Sequence, residues 1–183
     1  MVVGGVTGQT VLTALKIVNT IRRMALRSDW SDKVCPVART LDIVGDPWIM
    51  VILREVFAGN RRFDTLKTKL DVADTVLSKR LETLVDANLL RRDAYSGNVR
   101  PRFDYNLTDA GLDTLPIIHA LARWGNAHLP RHDTPPMRIY CRRCSIETSS
   151  ADWCITCAAP LTADTTLWRT AGNPEVELSL APR

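Results

Sequence analysis

Two short apolar stripes at helical spacing, separated by a three-residue break and followed by two alternating runs, constrain this chain more than any other feature. Phe63, Leu66 and Leu70 recur at intervals of 3 and 4 residues, which places them on one face of a helix. Residues 71–73 interrupt the pattern. Val76, Leu77, Leu81, Leu84 and Val85 then make a second stripe, and the opposite face of that stretch carries Thr75, Ser78, Lys79, Glu82 and Asp86. Beyond it, residues 89–95 and 100–107 read as strands on either side of Ser96-Gly97-Asn98, a turn signal. In the second run Phe103, Tyr105 and Leu107 alternate with Arg102, Asp104 and Asn106, the pattern of a hairpin with an apolar and a polar face.

The flanks complete the framework. Asp46-Pro47 opens a helix, with Asp46 as the cap and Pro47 at the first helical position. Trp48, Met50, Val51, Ile52, Leu53, Val56 and Phe57 wrap most of its circumference, so a buried helix is expected, ended by Gly59. A shorter helix over 37–44 precedes it and stops at Gly45. Thr108 caps a last long helix bearing Leu112, Leu115, Ile118, Leu121, Ala122 and Trp124, which Pro116 must kink or break. Helix, helix, short turn, helix and hairpin predict a winged helix-turn-helix, a mainly α (α+β) fold with a small β wing.

The chain has 183 residues and a hydrophobic fraction of 45%, enough for one good core and an appendage. Net charge is +4. Residues 60–102 hold ten Lys/Arg against six Asp/Glu, so the excess sits mid-chain, where a polyanion can be met. No apolar run approaches the ~18 residues that span a bilayer. Residues 10–23 read as a weak amphipathic helix or as a leader, with Met24 as an alternative start. Their charges, Arg22 and Arg23, follow the apolar stretch, whereas a secretory signal has them first. The expected compartment is the cytoplasm, with no membrane association.

A helix fits the major groove of B-DNA, where short outward side chains reach base edges. Thr75, Ser78 and Lys79 occupy such a face. Arg80 lies one position round and is expected to anchor a carboxylate as readily as DNA. Arg61 and Arg62 form a basic loop before the helix pair, and Arg100 and Arg102 lie on the wing, where phosphates are met. Taken singly these residues also fit an ordinary solvated surface; the joint pattern carries the reading.

At these positions the chain resembles the HxlR-type winged-helix regulators, relatives of the MarR group. The matching pieces are Cys35-Pro36-Val37; Leu41-Asp42-Ile43-Val44-Gly45-Asp46-Pro47-Trp48; Ile52-Leu53-Arg54-Glu55; Gly59 with Arg62-Phe63; Leu77-Ser78-Lys79-Arg80-Leu81; Leu84; Asn88-Leu89-Leu90; Tyr105-Asn106-Leu107-Thr108-Asp109-Ala110-Gly111; and Trp124-Gly125. The resemblance implies a homodimer on a pseudo-palindromic duplex operator, joined through the N-terminal region and the helix over 108–128. It also places Ser78 and Lys79 on the recognition helix and residues 100–102 on the wing. Ala73 stands where the family often has a capping Ser, so Asp74 is expected to take over the cap. Asn88 replaces a common Gly, and Pro47 a frequent basic residue.

Past residue 128 the character changes. Pro130, Pro135 and Pro136 mark a linker, and Cys141, Cys144, Cys154 and Cys157 follow in a C-x2-C-x9-C-x2-C pattern. Two such knuckles can supply four thiolates to a structural Zn²⁺; disulfides, free thiols and an iron–sulfur cluster are the alternatives. Four thiolates leave no open position for catalysis. The expected organisation is an N-terminal extension (1–34), a DNA-binding and dimerisation domain (35–129), a linker (130–136) and a zinc-ribbon-like tail (137–183). Cys35 reads either as an oxidant- or electrophile-sensing thiol or as a small buried packing residue. A small-molecule effector fits the dimer cleft, with no residue set to identify it. His119 reads as interface or core. No Ser-His-Asp order, glycine-rich phosphate loop or HExxH occurs, which disfavours an enzyme. The competing class is a zinc-ribbon interaction protein whose winged helix contacts protein instead of DNA.

Overall fold

The computed structural model describes residues 29–95, 102–129, 132–170 and 173–180. The helix expected over 10–23, the wing tip at 96–98 and Arg100 lie outside them. The chain forms two compact units, residues 1–46 and 47–183. No described helix is long and apolar enough to cross a membrane.

In the first unit, helix α1 spans Pro36–Val44, with Pro36 in its first turn and none of its residues buried. The segment before it folds back onto it. The Arg39 guanidinium donates to the carbonyls of Lys33 (2.7 Å) and Val34 (2.8 Å), and the Trp30 backbone N–H donates to Asp42 Oδ1 (3.2 Å).

The second unit opens with α2 (Pro47–Phe57), α3 (Phe63–Leu70) and α4 (Asp74–Asp86). The wing strands β1 (Leu90–Tyr95) and β2 (Arg102–Leu107) follow, then α5 (Asp109–Leu112) and α6 (Leu115–His128). Helix α2 buries Ile49, Ile52, Leu53, Val56 and Phe57, a single stripe. The all-round burial expected of it is not found: Trp48, Met50 and Val51 are half-buried, and Ile49, not Met50, starts the core face. Leu66 of α3 and Leu77, Leu81 and Leu84 of α4 close the same core.

The helix expected after Thr108, with a kink or break at Pro116, is broken there into two helices. The Thr108 hydroxyl accepts from the Gly111 N–H at 3.0 Å and caps α5. The chain leaves the helix at Asp113 and Thr114 and re-enters with Pro116 in the first turn of α6, where a missing N–H costs nothing. Gly111 is required here, because a Cβ would lie 2.0 Å from the Leu89 carbonyl oxygen. Asn88, at φ 55°, takes the left-handed conformation that ends α4.

The segment read as a linker and cysteine tail holds a sheet that periodicity did not reveal. Strands β3 (Arg138–Cys141), β6 (Thr166–Thr170) and β7 (Asn173–Ser179) pair antiparallel in the order β3-β6-β7, and a small hairpin pairs β4 (Trp153–Cys154) with β5 (Ala159–Pro160). This sheet packs on the helices. Trp168 is fully buried, its ring 6.0 Å from that of Phe57. Its indole N–H donates to His119 Nε2 at 2.9 Å, and His119 Nδ1 lies 2.6 Å from the Ala151 carbonyl oxygen. Both imidazole nitrogens are used by the neutral ring with its proton on Nδ1. Burial holds the His119 pKa below the ordinary imidazole value, against the opposing pull of the Ala151 carbonyl.

Two outcomes follow for urea unfolding. Because the folded pKa is depressed, the unfolded chain binds the His119 proton more readily. The stabilisation is therefore full above about pH 6.5 and is lost as the pH falls through the folded value. Trp168→Phe, which keeps a ring but leaves Nε2 buried without its donor, costs about 1–3 kcal/mol at pH 7.5.

Candidate nucleic-acid interface and four-cysteine cluster

The buried stripe of α4 determines which side chains it presents outward. With Leu77, Leu81 and Leu84 in the core, Thr75, Ser78, Lys79, Glu82 and Asp86 are exposed, and Arg80 is half-buried at the edge. The turn into α4 is tight: Asp71 is left-handed at φ 48°, and Val72 is buried beneath it. Ala73 occupies the N-cap with no side-chain bond, so the cap expected from Asp74 is not made. Asp74 is instead the first helical residue and pairs with Lys67 Nζ of α3 at 2.6 Å, across the turn. Its carboxylate holds the Lys67 pKa above the ordinary lysine value. Both groups are substantially exposed, so solvent screens the pair.

Among its described residues the wing is buried at its base, where Leu90 and Leu107 face each other. Further out Phe103 and Tyr105 are half-buried, and the Arg92 guanidinium lies 4.5 Å from the Phe103 ring centre. On the polar face Asp93 and Asp104 sit directly opposite, a destabilising like-charge pair if left alone. Asn106 donates to Asp93 at 2.7 Å and Arg91 at 3.1 Å, and the Asn106 bond is the main cause of the lowered Asp93 pKa. Arg62 lies 3.5 Å from Asp104 and 4.8 Å from the Tyr95 ring centre.

Residues 61 and 62 thus form a third edge of the wing, not a free loop. The Tyr105 N–H donates to the Arg61 carbonyl at 2.8 Å, and Arg62 forms a β-bridge with Asp104. Spacing alone did not reveal Tyr95 and Asp104 as the partners of Arg62. Arg102 is exposed on the second strand. The structure therefore gathers Arg62, Arg102 and the wing into one element, and Thr75, Ser78 and Lys79 onto one face of α4.

The four cysteines of the tail come together. The Sγ atoms of Cys141, Cys144, Cys154 and Cys157 all lie within 4.8 Å of one another, with Cys141–Cys157 at 3.8 Å and Cys144–Cys154 at 3.7 Å. A tetrahedron of ~2.3 Å metal–sulfur bonds has edges of about 3.8 Å, so the cluster can hold a metal ion. Each knuckle is its own hairpin. The first is closed by Cys141 N–H to the Ile146 carbonyl (3.0 Å) and a Tyr140–Glu147 bridge, the second by β4 and β5.

The knuckles are built alike: the residue after each second cysteine, Ser145 (φ 58°) and Ala158 (φ 48°), is left-handed. Neither is a Gly or Asn, the residues that usually advertise that conformation, so the sequence does not signal it. The thiols influence one another. Burial raises the Cys141 pKa, but the N–H groups of Cys144 and Arg143 and the neighbouring thiols bring it down to about 7. The Cys144 thiol first, then burial and the other two sulfurs, push Cys157 up to about 12. Cys35 is exposed at the N-cap of α1, which overturns the buried-packing reading. His119 is core. Ile117, Leu121 and Trp124 of α6 are 38%, 52% and 57% exposed and stay outside the core.

The uncharacterized HTH-type transcriptional regulator Rv3095 of Mycobacterium tuberculosis is 38% identical over 127 residues, which cover 69% of this chain and 80% of that one. The HxlR-like helix-turn-helix family matches residues 43–133. This chain is a member of the HxlR family. The transcriptional regulator YdeP of Bacillus subtilis, also uncharacterized, is 31% identical over 100 residues, 54% of this chain and 77% of that one. The crystal structure of PA1607, a candidate transcription factor, superposes with a TM-score of 0.60 at 29% identity, covering 73% of this chain and 93% of the other. This HxlR-family protein is thus a helix-turn-helix transcriptional regulator and not an enzyme. Its family match spans α2 to α6 and ends before the four cysteines.

Proposed function

We propose that the protein is a cytoplasmic, sequence-specific DNA-binding regulator that acts as a homodimer on a pseudo-palindromic operator. The observation that carries this is the division of α4: Leu77, Leu81 and Leu84 are in the core while Thr75, Ser78 and Lys79 stand exposed together. In this reading α4 enters the major groove and Thr75, Ser78 and Lys79 read base edges, with Arg80 at the margin. Arg61, Arg62, Arg100 and Arg102 meet backbone phosphates. Dimerisation uses α6, whose exposed Ile117, Leu121 and Trp124 recur at helical spacing as one stripe, together with the N-terminal region. Residues 35–129 make up the DNA-binding and dimerisation domain, and 137–183 the ribbon.

In a gel shift against an operator selected from random duplex DNA, Lys79→Ala and Arg102→Ala each weaken binding. Arg102→Ala also lowers the slope of log affinity against log salt by about 0.9 for the phosphate that is no longer neutralised, whereas Lys79→Ala narrows the difference in affinity between the operator and unrelated duplex. Unchanged affinity and an unchanged difference for Lys79→Ala sink the assignment. A partner that is protein instead of DNA shows itself by a weak salt slope.

The metal of the cysteine cluster is assigned as structural Zn²⁺, held by Cys141, Cys144, Cys154 and Cys157, a closed set with no open position. It stabilises a segment with little core of its own. Elemental analysis of the purified protein is expected to give a single zinc per chain, and much less for the Cys144→Ser, Cys157→Ser double variant. A wild-type content far below one removes the assignment.

Cys35, exposed at the N-cap of α1, is the thiol we assign to oxidant sensing. Wild-type operator binding is expected to fall after mild peroxide treatment while Cys35→Ser binding persists. A Cys35→Ser protein that still loses binding excludes this residue.

A further inference from the structure

A cleft of about 520 Å³ in the second unit lies between α2, α6 and the segment that leads to the cysteine ribbon. One wall is Met50 and Val51, the two α2 residues left outside the core stripe. The second is the face of α6 that carries Ile118, Ala122 and Gly125. The third is the chain at 134–137, where Pro135 and Pro136 stiffen the backbone. Asn126 of α6 donates to the Met137 carbonyl at 2.6 Å and ties this wall to the helix. The cleft is therefore built from two helices and a fixed proline segment.

From this geometry we infer that the cleft binds a small, neutral, largely apolar molecule with a hydrogen-bond acceptor turned toward Arg54. The volume falls in the range of single-ligand sites, about 300–1,000 Å³. The lining is apolar, with methionine side chains that adapt to irregular shapes. Arg54 is the only charged residue of the lining among the described residues. Its guanidinium already serves Glu55, whose second oxygen accepts from Asn60 at 2.7 Å. The local charge is therefore balanced, which suits a neutral acceptor group better than an acid. Leu121, which also lines the cleft, belongs to the exposed α6 stripe proposed for dimerisation, so a second copy of the chain is the competing occupant that the test must separate. The inference is independent of the DNA-binding reading.

The test uses the full chain and N-phenyl-1-naphthylamine, a neutral aromatic probe that fluoresces in apolar surroundings. Saturable binding with a single equivalent per chain is expected. A Cβ on Gly125 meets nothing within 4 Å, so Gly125→Phe fills the cleft without disturbing the fold. It is expected to weaken the probe by about tenfold or more. Ile155→Ser, which removes an exposed apolar side chain elsewhere, leaves binding unchanged and excludes a general surface effect. Non-saturable binding by the wild type, or wild-type affinity in a folded Gly125→Phe protein, overturns the proposal. So does a Gly125→Phe chain that becomes monomeric where the wild type is dimeric, because the cleft is then a subunit contact. If Gly125→Phe fails to give the wild-type circular dichroism, Ala122→Phe enters the same cleft from the next turn and is read by the same criteria.

Discussion

One buried imidazole ties the second unit together. His119 sits in α6 with no exposed surface, and each of its nitrogens is taken up by the cysteine-bearing segment, one by Trp168 and one by Ala151. A buried polar ring is tolerated only when both its donor and its acceptor are used, so the two partners must arrive together. Trp168 brings the sheet β3-β6-β7 against Phe57 of α2, and Ala151 brings the loop between the knuckles against α6. The cysteine ribbon is thereby an extension of the helix-turn-helix core and not a tethered tail, although residues 132–136 have the composition of a linker.

The same core sorts the charges of the helix-turn-helix. Three leucines of α4 face inward, which leaves a short polar face without any further instruction. Around it most cations are already engaged. Arg62 lies near Asp104 and Tyr95, Arg92 covers Phe103, Arg91 approaches Asp93, and Lys67 pairs with Asp74. These contacts are individually weak at the surface. Those of Arg62, Arg91 and Arg92 hold the described part of the wing, whose Leu90–Leu107 base is buried, in a defined shape.

The cysteine cluster rests on a different constraint. Bringing four sulfurs within 4.8 Å of one another makes their protons interdependent. Burial raises Cys141, but the N–H groups of Cys144 and Arg143, with the neighbouring thiols, outweigh it and bring Cys141 down to about 7, while the Cys144 thiol, burial and the other sulfurs push Cys157 up to about 12. With a cation bound, coordinating thiols are deprotonated outright and that interdependence ends. The two left-handed residues, Ser145 and Ala158, let each knuckle turn back sharply enough for the sulfurs to converge.

What the sequence by itself determined was local. Period-3.6 stripes located α3 and α4, alternation located the wing, Thr108 and Pro116 marked the starts of α5 and α6, and C-x2-C spacing named the four clustered thiols, because each is a property of neighbours along the chain. Only the tertiary structure decided that Ile49 leads the α2 core face and that Leu121 and Trp124 stay outside it. It also decided that Arg62 belongs to the wing, and that a sheet around Trp168 locks onto His119. Those outcomes depend on residues 49 positions apart meeting in space, as Trp168 and His119 do. No local pattern encodes such a meeting, since it is settled by which surfaces can be buried with every polar atom still bonded.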